Sequence, residues 1–90
     1  MKKTIITVLG KDQVGIIAGV CNYLAENDIN ILDLSQTITG DIFNMMIVAN
    51  ITGSKKKFAQ IADEIEDVGK GLGVQIKMQQ EDIFNSMHRI

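Results

Sequence analysis

The fold of this 90-residue chain is decided by residues 10–17, Gly-Lys-Asp-Gln-Val-Gly-Ile-Ile (GKDQVGII). Residues 3–9 (KTIITVL) precede them and are rich in β-branched side chains, which predicts a strand that ends at Gly10. Residues 14–26 follow, and their apolar side chains recur at three- and four-residue spacing, which predicts an amphipathic helix. The stretch is therefore a strand-to-helix turn, for which Asp12 is a natural N-cap.

The remaining sequence continues the alternation between strand and helix patterns. Period-two patterns and helical spacing predict, in order, a strand over 29–39, a strand over 42–51, a helix over 58–68, a strand over 74–79 and a short helix over 80–90. Gly40 and Asp41, between the first two of these strands, suit a type II′ hairpin turn. Ser54 is a natural N-cap for the second helix, which we expect to end at the three glycines within residues 69–73.

The β-α-β-β-α-β order predicts an α+β fold, a ferredoxin-like βαββαβ sandwich with a short C-terminal helix. Right-handed crossovers place both helices on one face of a four-stranded antiparallel sheet. We expect one domain over residues 1–79, and an amphipathic helix over 80–90 that packs on the same domain or on a partner subunit.

The predicted sheet has apolar side chains on both faces. In the third strand Phe43, Met45, Ile47 and Ala49 alternate with Ile42, Met46 and Val48, and in the first strand Ile6 and Val8 alternate with Ile5 and Leu9. Because two helices cover only one face, the other face needs the C-terminal helix, a second subunit, or both. The sequence therefore predicts a homo-oligomer, a dimer or larger.

Composition and charge exclude several classes of function. Nine Lys and Arg against eleven Asp and Glu give a net charge of −2, a poor match for nucleic acid. The single cysteine, Cys21, can form neither an internal disulfide nor a cysteine-rich metal site, and no metal or cofactor is expected. No apolar run approaches the ~18 residues of a membrane span, and the first residues lack a secretion-signal core, so we expect a cytoplasmic protein.

No catalytic constellation is evident in the sequence. His88 is the single histidine and Arg89 the single arginine, and both lie in the last predicted helix. The acidic residues that could pair fall mostly on predicted polar faces, where solvation accounts for them: Asp33, Asp63, Glu64, Glu66 and Asp67. We therefore do not expect an enzyme.

Three short segments resemble the ACT domain, a small regulatory module attached to many enzymes of amino-acid metabolism. They are Asp12-x-x-Gly15 at the helix start, Leu24-Ala25-Glu26 near its end, and Ile29-Asn30-Ile31 at the start of the next strand. The resemblance covers nearly the whole chain and leaves out only the C-terminal helix. The chain is also similar to stand-alone single-ACT-domain proteins of bacteria and archaea and, more distantly, to the glycine cleavage system transcriptional repressor.

The resemblance implies a homo-oligomer that binds a small effector, often an amino acid, between subunits. Its contacts would come from the loop after the first strand and from Asn30 of a neighbouring subunit. The loop positions carried over are Lys11, Asp12, Gln13, Val14, Gly15 and Ile16. Val14 stands where many ACT loops have Pro, and Gly10 where some serine-binding members have a polar side chain, so the identity of the effector stays open.

The same residues also have a purely structural interpretation. The N–H groups of residues 14–16 at the helix start could receive a carboxylate, and Asp12 could accept from an ammonium group. Asp12 could equally cap the helix by accepting from the Gly15 N–H, and Asn30 could be a turn residue. The predicted function is a non-enzymatic effector-sensing module that regulates another protein in trans. The alternative is a protein-binding or scaffolding dimer with no effector.

Overall fold

The computed structural model describes residues 3–81, which form four strands and two helices in the predicted order. The elements are β1 Thr4–Lys11, α1 Ile16–Glu26, β2 Asn30–Thr39, β3 Ile42–Asn50, α2 Phe58–Leu72 and β4 Val74–Gln80. The sheet order is β2-β3-β1-β4, and each of its three pairings is antiparallel. The prediction of a ferredoxin-like sandwich is confirmed. The predicted C-terminal helix, with His88 and Arg89, lies outside the described residues.

The core lies between the two helices and one face of the sheet. Alternate residues of β1 and β3 are buried there, and each helix adds one residue per turn: Ile6, Val8, Phe43, Met45, Ile47, Ala49, Ile16, Val20, Leu24, Ile61 and Ile65. Cys21, at the edge of this stripe of α1, is only half-buried. The strand and helix periodicities read from the sequence therefore converge on a single core, which holds both helices on the same face.

Strand β1 extends past its predicted end. Gly10 does not end β1; it lies inside the strand, opposite Phe43 on one side and Val74 on the other. A Cβ at this position would come within 2.8 Å of the Val74 Cγ1 atom, so glycine here permits close passage of β4. The prediction that Gly10 terminates the strand is therefore wrong.

The second helix is longer than its glycines suggest. Gly69 and Gly71 lie within α2, and only Gly73, in the left-handed conformation with φ 76°, ends it. Packing on β4 extends the helix past two weak helix formers, because Gly69 is buried directly against that strand. The prediction that all three glycines terminate the helix is right only for the last.

The turns follow the sequence in two cases and depart from it in a third. Asn27 is the C-cap of α1 and Asp28 follows with φ 58°, which agrees with the predicted end of this helix at residue 26. Gly40 has φ 63° and Asp41 does not have positive φ, as a type II′ hairpin requires. The α2 N-cap is Lys57 rather than Ser54, whose hydroxyl accepts from the Lys56 N–H and shapes the turn before the helix.

The sheet face opposite the helices is a mixture of apolar and polar side chains. Cross-strand register places Ile5 beside Val48 and Thr7 beside Met46 on this open face. Five apolar side chains of β1 and β3 lie there, and we call them the open-face cluster: Ile5, Leu9, Ile42, Met46 and Val48. The prediction that the sheet is apolar on both faces is therefore confirmed for its two central strands.

Two glycines of α2 provide a matched test of this packing. Gly69→Ala places a Cβ 2.8 Å from Ile76 Cγ1 and 2.9 Å from the Val74 carbonyl oxygen, so we expect a loss of about 1–3 kcal/mol in unfolding free energy. Gly71→Ala meets nothing within 4 Å and should stabilise the helix by about 0.5–1 kcal/mol. Urea unfolding followed by circular dichroism measures both, and changes of the same sign would contradict this packing.

Candidate functional site

The candidate loop, residues 11–16, runs from the last residue of β1 to the first residue of α1 and lies at the end of the sheet where two other turns converge. The Asp12 N–H donates to the Asp41 carbonyl in the β2–β3 hairpin at 2.7 Å. The Gln13 side-chain amide donates to the carbonyl of Leu72 at the end of α2. One loop of six residues is thus fixed to two segments that are distant in sequence, which holds its backbone in a defined position.

The start of α1 is capped by backbone geometry and not by a side chain. Gly15 is the N-cap residue, with φ 95°, and no side chain accepts from the first turn of the helix. The prediction that Asp12 caps this helix is therefore wrong. The reason is local: Asp12 continues the line of β1 through its bond to Asp41, and two further residues separate it from Gly15.

The surface of the loop is open at its centre. Val14 is fully exposed, and the space around Gly15 where a side chain would lie contains no atom within 4 Å. Lys11, Asp12 and Gln13 are also exposed. A small molecule can therefore approach the backbone N–H groups that begin α1.

Ile16 has a different environment from the rest of the loop. Its side chain is 2% exposed and belongs to the core. Only its backbone could contact a ligand, whereas its side chain fixes where the helix begins. Of the six predicted loop positions, five present side chains or Cα atoms to the surface.

Asn30 lies far from the loop of its own chain. It begins β2, opposite Asn50, whereas the other end of β2, at Thr39, is opposite Ile42, which pairs with Lys11. A ten-residue strand places these ends about 30 Å apart. Within one chain the structure does not bring Asn30 to the loop, so a shared site requires a second copy.

A second polar cluster joins the two helices at their opposite ends from the loop. The Glu64 carboxylate accepts from the Tyr23 hydroxyl at 2.8 Å, from the Lys56 ammonium at 2.6 Å and from the Gln60 amide at 3.1 Å. The Lys56 ammonium also lies 5.9 Å from the centre of the Tyr23 ring. This cluster links α1 to α2 through the hydrogen bond between Tyr23 and Glu64.

The hydrogen bonds in this cluster shift two pKa values in opposite directions. The Lys56, Tyr23 and Gln60 donors stabilise the ionised form of Glu64 and lower its pKa from about 4.5 to about 2. Burial, together with the Glu64 carboxylate, raises the pKa of Tyr23. The sequence explained Glu64 by solvation, and its side chain is indeed 34% exposed. The pattern gave no sign of the phenol that α1 supplies 41 residues away in the chain.

Two depressions are lined by described residues that do not belong to the loop. One depression of about 260 Å³ is lined by the end of α2 and by β4, and another of about 140 Å³ by the α1–β2 turn and residues 54–56. Residues 3–81 contain no group of three or more His, Cys, Asp or Glu side chains placed to hold a metal ion. Neither helix among them is long and apolar enough to cross a membrane.

A one-sided βαββαβ sandwich, with a glycine-capped helix start beside its central strand, defines the class of small ferredoxin-like α+β domains. Comparison with known proteins narrows this class, because the family model of the ACT domain matches residues 2–79. The chain therefore belongs to the ACT-domain family. ACT domains are typically regulatory modules that bind small molecules.

Individual relatives agree with this assignment. A UPF0237 protein of Bifidobacterium longum is 49% identical over all 90 residues and over its own full length. A solved ACT domain protein from Streptococcus pneumoniae is 43% identical, with a TM-score of 0.81 over 92% of this chain and 93% of its own. A proposed glycine cleavage system transcriptional repressor shares the fold, with a TM-score of 0.76 at 20% identity over 88% of this chain and 45% of its own.

The lowered pKa of Glu64 predicts how stability depends on pH. Because the folded pKa lies below the unfolded one, the contribution of Glu64 is present above about pH 4.5 and is lost as the pH falls towards about 2. We expect Glu64→Gln to be less stable than the wild type at neutral pH, with the difference closing across this window. Urea unfolding at a series of pH values measures the difference.

Tyr23→Phe is the graded comparison for this experiment, because it removes one of the three donors to Glu64 and leaves the carboxylate in place. Tyr23→Phe should still lose unfolding free energy as the pH falls, but less than the wild type does, whereas Glu64→Gln should not show this loss. A pH-independent difference between the wild type and Glu64→Gln would contradict the role given to the cluster.

Proposed function

We propose that this protein is a non-enzymatic regulatory module that binds a small metabolite between two copies of the chain. An amino acid is the class of metabolite that the loop suits best. The observation that carries the proposal is the open start of α1. Its first N–H groups have no side-chain cap, Gly15 leaves room above them, and two hydrogen bonds hold the loop in place.

The chemistry of the loop is complementary to an amino acid. The free N–H groups of the first turn of α1, those of residues 16–18, and the positive end of the helix dipole would receive the α-carboxylate. The Asp12 carboxylate would accept from the α-ammonium group, and Lys11 lies beside it as a second charged contact. Gln13 would position the loop and not contact the ligand through its amide nitrogen, because that nitrogen donates to the Leu72 carbonyl.

The second half of the proposed site comes from a neighbouring copy through the β2 edge. Strand β4, at the other edge, is shorter and carries the polar side chains Gln75, Lys77 and Gln80, which discourage pairing. Strand β2 has ten residues, and its exposed large apolar side chains are Ile31, Leu32 and Ile38. Such a strand is a template for pairing with another chain.

Antiparallel pairing of two β2 strands would also explain a role for Asn30. A pairing centred between Leu34 and Ser35 sets Asn30 of one copy opposite Thr39 of the other. Thr39 leads into the hairpin whose Asp41 carbonyl accepts from Asp12. Asn30, which both donates and accepts, would then lie at the loop end of its neighbour and complete the site.

Regulation would pass to another protein in trans. The second candidate is a protein-binding or scaffolding dimer with no effector. The fully exposed Val14 at the tip of the loop favours it, because an apolar tip also suits contact with another protein.

Effector binding is tested by thermal unfolding with each of the twenty amino acids. A ligand at a hundred times its dissociation constant adds about 2.7 kcal/mol, which raises the melting temperature of a domain this size by about 10 °C or more. Asp12→Ala should abolish this shift, whereas Asp63→Ala, on the exposed side of α2, should retain it. If no amino acid raises the melting temperature, the scaffolding dimer is favoured. A shift that Asp12→Ala retains would place the binding site elsewhere.

The proposed assembly is tested by light scattering after size-exclusion chromatography. Ile38→Lys places a charge on the β2 edge, so we expect it to convert the dimer to monomer. Ile42→Lys changes an equally exposed side chain on the open face and should leave the assembly intact. The opposite result would place the interface on the open face.

A further inference from the structure

The hydrogen bonds of the sheet show which backbone groups of β2 face outward. The Asp12 N–H donates to the Asp41 carbonyl, which continues the pairing of β1 with β3, so the even-numbered residues of β1 direct their N–H and C=O groups towards β3. Their partners in β3 are odd-numbered. Because this direction alternates along a strand, the even-numbered residues of β3 direct their groups towards β2.

Strand β2 lies at the edge of the sheet, and every second residue of it directs its backbone groups outward. Among residues 3–81 it pairs only with β3. From residue 33 onward, its odd-numbered residues are opposite the even-numbered residues of β3 and bond inward. The residues between them direct their N–H and C=O groups to the free edge: Leu34, Gln36 and Ile38. A strand added at this edge would bond to these groups.

One of these outward donors is already occupied. The Leu34 N–H donates to the Oδ1 atom of Asp33 at 2.9 Å. A β-bulge directly precedes this bond, because the register with β3 shifts by one residue between Ile31 and Asp33. Side-chain acceptors next to a strand compete with ladder hydrogen bonds, and bulges at an edge hinder the addition of another strand. Both features lie in the middle of the β2 edge.

The occupied donor is one that the proposed dimer needs. Because the bulge adds one residue before Asp33, the hydrogen-bonded ladder that sets Asn30 opposite Thr39 is centred on Ser35. This ladder places Leu34 of one copy opposite Gln36 of the other. Both are outward residues, so the Leu34 N–H would donate to the Gln36 carbonyl, once in each direction. The same N–H already donates to Asp33 in the unpaired chain.

We propose that the Asp33 carboxylate restricts pairing along the β2 edge by competing with a second copy of the chain for the Leu34 N–H. The inference rests on the β2 pairing proposed above and adds how that pairing is controlled. Each copy must exchange an internal hydrogen bond for an intermolecular one, so this donor adds little net free energy to the dimer. Association therefore depends on the other edge contacts and on a ligand shared between the loop and Asn30.

Sedimentation equilibrium of the full-length chain measures this competition as a dimer dissociation constant. Asp33→Ala removes the acceptor and frees one donor in each copy, so we expect the constant to fall by about tenfold or more. Asp33→Asn keeps an oxygen acceptor at the same position and removes the charge, so the constant should stay close to the wild-type value. Asp63→Ala removes a charge from the exposed side of α2 and is the matched control for net charge.

Amide hydrogen exchange, followed by NMR, tests the bond itself. The background is Ile38→Lys, which by the proposed pairing is a monomer. The Leu34 N–H should exchange more slowly in it than the Gln36 N–H, which faces the same edge, and Asp33→Ala should remove the difference. Equal exchange of the two groups while Asp33 is present would overturn the proposal.

The outcomes separate this inference from the proposed function. If Ile38→Lys dissociates the dimer but Asp33→Ala leaves the dissociation constant unchanged or raises it, the competition is wrong and the β2 pairing stands. An equal fall in Asp33→Asn would assign the effect to charge and would also overturn the inference. If Ile38→Lys leaves association unchanged with and without Asp33→Ala, the β2 pairing fails and this inference fails with it. Circular dichroism confirms that each variant is folded.

Discussion

Two helices can cover only one face of a four-stranded sheet, and this constraint governs the arrangement of the whole molecule. Strands β1 and β3 occupy the centre and carry apolar side chains in both phases, so one phase enters the core and the other faces away from the helices. The fold therefore leaves apolar surface in two places, on the open face and along the β2 edge. Both surfaces are available for contacts beyond the sandwich.

The same constraint explains why the candidate site is at the β1–α1 loop. The first strand is central and hydrogen-bonded on both sides, so its end is among the best-fixed points of the sheet. The chain must turn there from the sheet to the helix layer, and Gly15 makes the turn in the left-handed conformation. The result is a rigid base below a helix start that remains accessible, an arrangement suited to recognising a small anion.

The sequence was sufficient to predict the fold because local patterns and topology agree. The order of elements, the common face of both helices and the hairpin at Gly40 follow from periodicity and turn chemistry. The boundary errors are at Ser54, which does not cap α2, and at glycine positions. Local pattern predicts Gly10 and Gly69 as terminators, whereas tertiary packing against β4 places them inside elements, and no local pattern reveals such a contact.

The candidate site was predictable only in part. Resemblance marked the loop, and the structure then showed that Ile16 belongs to the core and that Asp12 is not the cap. The bond from Gln13 to Leu72 and the cluster around Glu64 had no signal in the sequence, because their partners lie 59 and 41 residues away. Side chains that act across such distances are found from coordinates, not from spacing.

The bond between Gln13 and Leu72 also bears on the order in which the chain can fold. Strand β1 acquires its second neighbour only when β4, the last strand, docks against it, and the loop acquires its support from α2 just before that strand begins. Contacts of this sequence separation form late, since a long loop must be closed first. A chain emerging from the ribosome would therefore contain the residues of the loop well before the loop was fixed, and binding at this loop, as proposed, would report that synthesis of the sheet is finished.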